Sequence, residues 1–330
     1  MADNRHILVI GEVEKEKLTS TSRELLGGAH RLAAQMGGTV NLLLMGPAVA
    51  AAEEGIHYGA DKVYTSKDAM LSESNSDACT IMIDALCRKI QPVLCLFGQS
   101  DLGRDAAPRL AAKLNAGLCM DCVEVTFDAG NNRILQTRPV FGGKAMAVMA
   151  TTGDRLQINT VRAKAIAPEE PKADRKGEVI PVTDAVDASL VKVKLVEAKK
   201  IETEGVKLED AKIIVAGGGG LGGPEGFEMI AQLAKLMGGV VGATRVPVDE
   251  NWVPLSMEIG QTGKIVSPDL YIAIGISGAA QHVTGIVNSK KIVAINRDPD
   301  ANIFRMADVG LVADYKVAVP ILIEKMKAGR

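Results

Sequence analysis

The sequence predicts an α/β protein of two domains: a doubly wound, mostly parallel sheet with an antiparallel extension, then a Rossmann-like domain. The chain has 330 residues, which is more than one core usually organises. Short apolar runs alternate with segments of helical periodicity in both halves. A charged stretch with little to bury, residues 198–208, lies between the halves. We therefore place the domains at residues 1–200 and 208–330.

The first half opens with the alternation that is typical of a parallel sheet covered by helices. Apolar runs predict strands, and apolar residues spaced three and four apart predict helices. The predicted strands are residues 6–10, 40–45, 62–64 and 92–97. The predicted helices are residues 22–36, 48–55, 76–90 and 104–114. Parallel strands need crossover connections, and each of these helices can supply one.

From residue 122 the pattern changes to strands without helices between them. The predicted strands, joined by turns rich in Gly, Asn and Asp, are residues 122–127, 134–139, 144–150 and 157–161. This succession predicts the antiparallel extension of the first sheet. Residues 168–187 are rich in Pro, Lys, Glu and Asp, which predicts an exposed connection, and residues 190–196 predict one more strand.

The second half begins with a strand, a glycine-rich loop and a helix, which is the local context of nucleotide binding. These are residues 212–216, 217–224 and 227–237. The spacing Gly218-x-Gly220-x-x-Gly223 fits a dinucleotide fingerprint, but so many glycines would fit several spacings. No ribose-binding acid follows about 20 residues on. The loop therefore indicates backbone close to a nucleotide or a flavin more strongly than it indicates NAD.

Polar side chains follow four further predicted strands of the second half. Those strands are residues 240–245, 270–276, 291–296 and 309–315, and a last helix is predicted at 320–328. The polar residues at or just after their ends are Thr244, Arg245, Ser277, Asn296 and Asp314. Because the carboxyl ends of parallel strands share one edge of a sheet, these groups are expected to lie along the same edge. The sequence predicts a binding site there, and the alternative is a set of helix caps and loop residues.

The most informative stretch combines a polar loop with a strand that breaks into small residues. Gly260-Gln261-Thr262-Gly263-Lys264 precedes the strand, and Ser277-Gly278-Ala279-Ala280-Gln281-His282 follows it. A strand that ends in small residues and restarts as a helix leaves backbone N–H groups free, and phosphates bind at such places. A cofactor site is predicted here, and a tight turn capped by Ser277 is the alternative.

Composition argues against several other functions. Aromatic residues make up 3% of the chain and the net charge is −2, so neither base stacking nor a basic surface for nucleic acid or acidic membranes is expected. No apolar window has the ~18 residues of a membrane helix, and the first residues have no apolar signal core, so a cytoplasmic location is expected. Cys119-x-x-Cys122 has no second ligand cluster and predicts buried thiols, with no metal site.

The ordered motifs of the second half resemble those of electron transfer flavoprotein α subunits. The resemblance rests on Leu270-Tyr271-Ile272-Ala273-x-Gly275-Ile276-Ser277-Gly278 with Gln281-His282, and on Gly242-Ala243-Thr244-Arg245, Gly260-Gln261-Thr262-Gly263-Lys264, Asp298-Pro299 and Val312-Ala313-Asp314. Residues 103–114 resemble the first domain of that family. The resemblance implies one FAD in the second domain, a first domain that packs on a β subunit, and no catalytic residue of the chain's own.

That resemblance also implies residue roles. Arg245 is expected against the isoalloxazine ring, Thr262 near N5, and His282 near N1 and the C2 carbonyl. The full set expected to hold FAD is Gly219, Thr244, Arg245, Ile259, Gly260, Gln261, Thr262, Ser277, Gly278, Ala279, Ala280, Gln281, His282, Asn296, Asp314 and Tyr315. Many members carry Arg where this chain has Gly219, which removes one positive charge from the expected flavin environment.

The implied partners follow from the same resemblance. Electrons would pass between NADH or an acyl-CoA-type or other flavin dehydrogenase and a redox partner. Residues 135–143 resemble the anaerobic, electron-bifurcating members, whose β subunit binds a second FAD and NADH and which can reduce ferredoxin or flavodoxin. The plain type carries AMP in the β subunit. An NAD-dependent enzyme and a non-redox adaptor that has lost its cofactor remain the alternatives.

Overall fold

The chain divides into two compact units. The structure, a computed structural model, describes residues 5–71, 75–141, 143, 145–153, 155–183, 186–193, 196 and 207–328. Unit 1 comprises Met1–Val140 and Met146–Ala198, and unit 2 comprises Phe141–Ala145 and Lys199–Arg330. Most of the stretch in which we expect the domain boundary, residues 198–206, lies outside the described residues.

Unit 1 is built on a sheet in which every neighbouring pair of strands is parallel. In the described residues its spatial order is β12 (Glu178–Pro181), β5 (Lys62–Ser66), β4 (Thr39–Met45), β1 (His6–Ile10), β6 (Leu94–Gly98), β11 (Gln157–Val161) and β7 (Gly117–Cys122). Its helices are α1 (Ser20–Met36), α2 (Ala52–His57), α3 (Ser76–Ile90) and α4 (Asp101–Leu114). Separate apolar clusters form from alternate residues of the strands, so both faces of the sheet are covered and the predicted doubly wound α/β class is confirmed.

The antiparallel segment forms a small sheet of its own rather than an added edge of the parallel one. It contains β8 (Glu124–Asp128), β9 (Arg133–Val140) and β10 (Ala145–Ala150), in the order β10-β9-β8. A two-stranded ribbon of β2 (Val13–Glu14) and β3 (Lys17–Leu18) precedes α1. Residue 144, where we expect a strand to begin, is outside the described residues.

Placing β11 in the antiparallel segment is wrong. This strand lies inside the parallel sheet between β6 and β7, and all five of its residues are buried. Its polar side chains look like those of an exposed strand, but two of them have distant partners: Gln157 accepts from Gln136, and Thr160 donates to Gln99. The third, Asn159, has its Nδ2 buried without a partner among the described residues. The predicted strand 122–127 in fact contains the last residue of β7 and the first four residues of β8, which belong to different sheets.

Two predictions for residues 168–196 also need correction. The expected exposed connection contains β12, which extends the sheet in parallel beside β5. Residues 190–193, where a strand is expected, form no strand in the structure. The backbone N–H groups of Lys192 and Val193 donate instead to the Asp77 carboxylate, at 2.9 and 3.2 Å from Oδ2. A carboxylate therefore supplies the acceptor that a neighbouring strand would have supplied.

Unit 2 is a second parallel sheet, with the order β14 (Val240–Ala243), β13 (Ile213–Gly217), β15 (Leu270–Ile274), β16 (Ile292–Asn296) and β17 (Val309–Val312). Its helices are α5 (Pro224–Met237), α6 (Arg245–Asp249), α7 (Ala280–Val283) and α8 (Tyr315–Ala328). From β13 the chain first moves to one side, to β14, and then returns to build the other side from β15 onward. The order reverses between β13 and β15, and ligands of open α/β sheets bind in the crevice at such a reversal.

Two kinds of feature are not found in the described residues. No group of three or more His, Cys, Asp and Glu side chains could hold a metal ion. None of the described helices combines the length and the apolar character that crossing a bilayer requires. The cysteines, Cys79, Cys87, Cys95, Cys119 and Cys122, are buried free thiols.

Candidate functional site

A cleft of about 400 Å³ opens at the carboxyl ends of β13, β14 and β15, beside the reversal of strand order. This volume lies within the range of ~300–1,000 Å³ that is usual for small-molecule sites. Its lining comes from the glycine-rich loop, the start of α6, the loop after the 3-10 turn Leu255–Met257, and the segment from β15 into α7. The lining residues are Gly219, Gly220, Thr244, Arg245, Val246, Glu258, Ile259, Gly260, Gln261, Thr262, Gly275, Ile276, Ser277, Ala279, Gln281 and His282.

The segment after β15 presents a row of unused backbone donors. Within the described residues, no protein acceptor takes the N–H groups of residues 277–281. Gly278 has φ +83° and packs so closely on the next turn that a Cβ would lie 2.2 Å from the Ile303 nitrogen. Ile303 also donates its N–H to the Ser277 carbonyl at 3.1 Å. The loop is therefore fixed to the 3-10 turn Asn302–Arg305 while its N–H groups remain available to an anionic ligand.

The glycine-rich loop behaves differently, because most of its N–H groups are used internally. Gly218 donates to Ile274, Gly220 donates to Gly275, and Leu221 and Gly222 donate to the preceding glycines. A Cβ on Gly220 would lie 2.7 Å from the Gly275 carbonyl oxygen. The glycines thus permit close packing of this loop on the end of β15, and the structure offers little support for the pyrophosphate-cradling role of an NAD fingerprint.

His282 lies in the wall of the cleft with both ring nitrogens engaged by protein groups. Nδ1 is 2.9 Å from the Ile259 carbonyl oxygen, so it must carry the proton and donate. Nε2 is 2.9 Å from the Tyr271 hydroxyl. Burial raises the pKa of Tyr271, which keeps this phenol protonated and able to donate to Nε2. Burial also lowers the pKa of His282 to about 4, against an ordinary value of 6.5, so the imidazole is neutral at pH 7.

The neutral state of His282 should make unit 2 lose stability as the pH falls. Below pH 6.5 the unfolded chain binds a proton that the folded imidazole rejects until about pH 4. The stabilisation is complete above pH 6.5 and is lost as the pH falls toward 4, at up to about 1.4 kcal/mol per pH unit. Trp252 is the chain's single tryptophan and lies in unit 2, so its fluorescence in urea unfolding of the flavin-free chain reports this unit.

Two Gln substitutions test whether His282 causes this loss of stability at low pH. His282→Gln keeps one donor and one acceptor in the cleft wall but cannot be charged, so its unfolding free energy should lack this slope. His30→Gln changes a histidine of unit 1 and should leave the slope reported by Trp252 intact. If wild type and His282→Gln lose stability equally between pH 6.5 and 4.5, the buried neutral imidazole is not its source.

Two charged side chains of the cleft complete its electrostatics. Arg245 begins α6, is 67% exposed, and pairs with Asp249 one turn later at 3.1 Å. Exposed pairs of this kind contribute about 0.3–0.5 kcal/mol, so little free energy holds the guanidinium away from a ligand. Glu258 is 4% exposed, and Thr262 Oγ1 donates to its Oε1 at 2.5 Å. The cleft therefore holds one exposed cation and one buried carboxylate.

The structure brings together most of the residues that the sequence singles out. Eleven of them line the cleft, namely Gly219, Thr244, Arg245, Ile259, Gly260, Gln261, Thr262, Ser277, Ala279, Gln281 and His282. Gly278 lies in the loop after β15 and Ala280 begins α7, and neither lines the cleft. The remaining three lie outside the cleft lining and act on neighbouring segments.

Those three residues make their contacts outside the cleft lining. Asn296 Nδ2 donates to the Ile276 carbonyl at 2.9 Å, which fixes the end of β15. Asp314 accepts the Lys316 N–H at 2.8 Å and caps α8. The buried Tyr315 hydroxyl donates to the Leu221 carbonyl at 2.8 Å and holds the glycine-rich loop.

Sequence reasoning missed five lining residues: Gly220, Val246, Glu258, Gly275 and Ile276. Gly220, Val246 and Ile276 are direct neighbours of predicted residues, and Gly275 lies two positions before Ser277; none of these four carries a chemical signal of its own. Glu258 did have a signal, because an acidic residue between the apolar Met257 and Ile259 indicates a carboxylate drawn into the interior.

Known proteins match this sequence along most of the chain. Residues 7–187 match the family model described as electron transfer flavoprotein domain, and residues 207–287 match the electron transfer flavoprotein FAD-binding domain. The α subunit of the electron transfer flavoprotein of Thermoanaerobacterium thermosaccharolyticum is 41% identical over 99% of both chains. That of Bacillus subtilis is 38% identical over 98% of both. Protein FixB of Clostridium saccharobutylicum is 38% identical over 99% of this chain and 98% of its own.

Proposed function

The chain belongs to the electron transfer flavoprotein α-subunit family, and from this premise we propose that it holds one FAD in the cleft of unit 2. Subunits of this family act in electron transfer and pair with a β subunit. The observation that carries the proposal is the row of free N–H groups at residues 277–281, in the same cleft as Arg245. FAD contains two phosphates and a flat isoalloxazine ring. The free N–H groups can donate to the phosphates, and the Arg245 guanidinium can lie beside the ring.

The residues present fit that group. The N–H donors of residues 277–281 would take the pyrophosphate oxygens, since they have no acceptor among the described residues. Gln281 and Thr244 lie on the lining and supply further polar contacts. Bound FAD would supply the electron-accepting chemistry, while the protein sets its environment. The site residues predicted above, including Gly278, Ala280, Asn296, Asp314 and Tyr315, remain proposed contacts or supports.

Arg245 would favour the reduced state. Its charge cannot be lost at any relevant pH, and its weak pairing with Asp249 lets it turn toward the ring. Negative charge that develops on reduction is stabilised by such a cation. Thr262 is proposed near N5 and His282 near N1 and the C2 carbonyl. Since Nε2 accepts from Tyr271 in the neutral ring, a bond donated by His282 to the flavin needs the imidazole to take up a proton.

Gly219 stands where many family members carry Arg. A Cβ added at Gly219 would have only Val246 within 4 Å, with Val246 Cγ1 at 3.3 Å. The cleft thus lacks a second cation at this point of its wall. We propose that Arg245 is therefore the main positive charge beside the flavin.

The finer assignments are proposals that rest on the resemblance. We propose that unit 1 packs on the β subunit, and that electrons come from NADH or an acyl-CoA-type or other flavin dehydrogenase in the cytoplasm. Residues 135–140 lie on β9, where the segment similar to bifurcating members begins. FixB proteins among the relatives are compatible with that reading. A bifurcating assembly would carry a second FAD in the β subunit and reduce ferredoxin or flavodoxin, whereas a plain shuttle would carry AMP there.

The test is the flavin content and visible spectrum of the chain purified with its β subunit, before and after NADH. The proposal expects at least one FAD per heterodimer, retained by unit 2. Two FAD bleached by NADH would support bifurcation, and one FAD with AMP, unreactive to NADH, would support a plain shuttle. Bound NAD in place of FAD would favour the NAD-dependent enzyme. A colourless heterodimer that does not take up added FAD would contradict the proposal and favour the adaptor.

A further inference from the structure

A buried carboxylate, Glu258, lies in the cleft wall without a charged partner. It is 4% exposed and follows the 3-10 turn Leu255–Met257. The backbone on either side is fixed, because Ile259 donates its N–H to Ala243 at 2.9 Å and Lys264 donates to the Glu258 carbonyl at 2.8 Å. The carboxylate therefore cannot leave the cleft by a small backbone movement.

The hydrogen bonding of this carboxylate is local and neutral. Thr262 Oγ1 donates to Oε1 at 2.5 Å. No Lys, Arg or His among the described residues lies within ion-pairing distance of it. Buried carboxylates are normally paired, because isolated charge in a low-dielectric site is costly. Glu258 is also the one carboxylate on the described cleft lining, so it has no like-charged neighbour with which to share a proton.

The other ionisable groups around the cleft do not neutralise it. On α6, Arg245 is paired with Asp249. On the loop of Glu258 itself, Lys264 is paired with Glu209 at 2.8 Å. On α7 His282 is neutral, and on β15 Tyr271 is a protonated phenol. None of them pairs with Glu258, so a negative charge that a ligand gains in this cleft meets the Glu258 carboxylate as well as the Arg245 guanidinium, and the two act on it in opposite directions.

Resting on the proposed FAD site, we infer that the Glu258 carboxylate opposes reduction of the flavin and so lowers the flavin's potential. The electrons come from the redox donor and go to the flavin alone, and Glu258 acts on this step through its charge. Two like charges in a site of low dielectric destabilise one another, so negative charge that the flavin gains on reduction is repelled by this carboxylate.

Thr262 connects this carboxylate to the ligand. The Thr262 hydroxyl must donate to Glu258, because a carboxylate only accepts, so Oγ1 has lone pairs but no proton to offer to the cleft. Toward the ligand the pair is therefore an acceptor. Glu258 acts through its charge and through Thr262, and so it is a positioning residue for the flavin's potential.

The experiment is potentiometry of the FAD-loaded heterodimer over a pH series, with FAD content measured for every preparation. Glu258→Gln keeps the size of the side chain and an acceptor for Thr262 but has no charge. Its flavin potential should be higher than that of wild type at every pH of the series. The matched control is Glu250→Gln, which removes an exposed carboxylate of unit 2 outside the cleft lining and should leave the potential unchanged. Arg245→Ala should move the potential in the opposite direction, downward.

The outcomes separate this inference from the proposed site. If Arg245→Ala lowers the potential while Glu258→Gln matches wild type, Glu258 has no such role and the inference is overturned. If none of the proteins binds FAD, the proposed function fails, and the inference fails with it. Should Glu258→Gln lose FAD, Glu258→Met is measured instead, since it removes the charge at similar side-chain size. A potential above that of wild type supports the inference, and an unchanged potential overturns it.

Discussion

Gly278→Val should abolish flavin retention and destabilise unit 2 by several kcal/mol. The residue has φ +83°, where a β-branched side chain is strained by ~1–2 kcal/mol even without neighbours. Its Cβ would also lie 2.2 Å from the Ile303 nitrogen and 2.6 Å from Ile303 Cα. These are backbone atoms that cannot move aside as a flexible side chain would. The loop must shift instead, and the free N–H groups of residues 277–281 shift with it.

Gly222→Val is the matched control for this prediction. Gly222 has nearly the same φ, +75°, and nothing lies within 4 Å of its ideal Cβ. It does not line the cleft. This variant should carry the backbone strain alone, ~1–2 kcal/mol, and keep its FAD. Urea unfolding followed by Trp252 fluorescence and flavin content are measured on both. Equal stability losses, or full flavin in Gly278→Val, would show that the loop does not depend on its contact with the Ile303 turn.

The loop after β15 shows what a sequence can establish about a site. Small residues after an apolar run predicted both the end of the strand and its free N–H groups, and the structure places them at the reversal of strand order. Both features are local, so they can be read from neighbouring residues. The position along the sheet edge is not local. Asn296 ends β16 and Asp314 comes after β17. Both strands lie beyond β15, and each added strand lies ~4.8 Å farther from the cleft.

Long-range pairing explains the remaining differences. The buried polar residues of β11 could not be recognised as interior, because their partners Gln99 and Gln136 are distant in the sequence. Glu258 was overlooked because the resemblance draws attention to the residues after it, while burial depends on the fold around it. Apolar periodicity thus predicted the strand and helix order, whereas polar residues that the fold buries needed the structure.

Asp121→Ala should cost about 3–5 kcal/mol in unit 1, which is the cost of removing one partner from a buried ion pair. Arg162 is 1% exposed and donates to Asp121 through Nε, at 2.8 Å from Oδ1, and through Nη2 to Oδ2. Its Nη1 has no partner among the described residues. Without Asp121 the guanidinium would therefore remain buried with its charge uncompensated. Asp121 also has φ +62°, a conformation that Asp and Asn tolerate better than Ala does.

Three further variants separate the contributions of backbone conformation, buried charge and surface ion pairing to the stability lost in Asp121→Ala. Asp121→Asn keeps the backbone tolerance and an acceptor, so it should lose less than Asp121→Ala. Asp121→Ala with Arg162→Met removes both charges and should recover part of the single-variant loss. Arg88→Ala breaks an exposed pair with Asp84 and should change stability by less than about 1 kcal/mol.

Far-UV circular dichroism during urea unfolding reports both units, and Trp252 fluorescence reports unit 2. The loss of stability in Asp121→Ala should appear in the circular dichroism signal and leave the urea midpoint of Trp252 fluorescence unchanged. A double variant no more stable than Asp121→Ala would show that packing, rather than the stranded charge of Arg162, sets the cost. With the expected result, the residue of the Cys119–Cys122 motif that stabilises unit 1 is Asp121, which lies between the two thiols and compensates the charge of the buried Arg162.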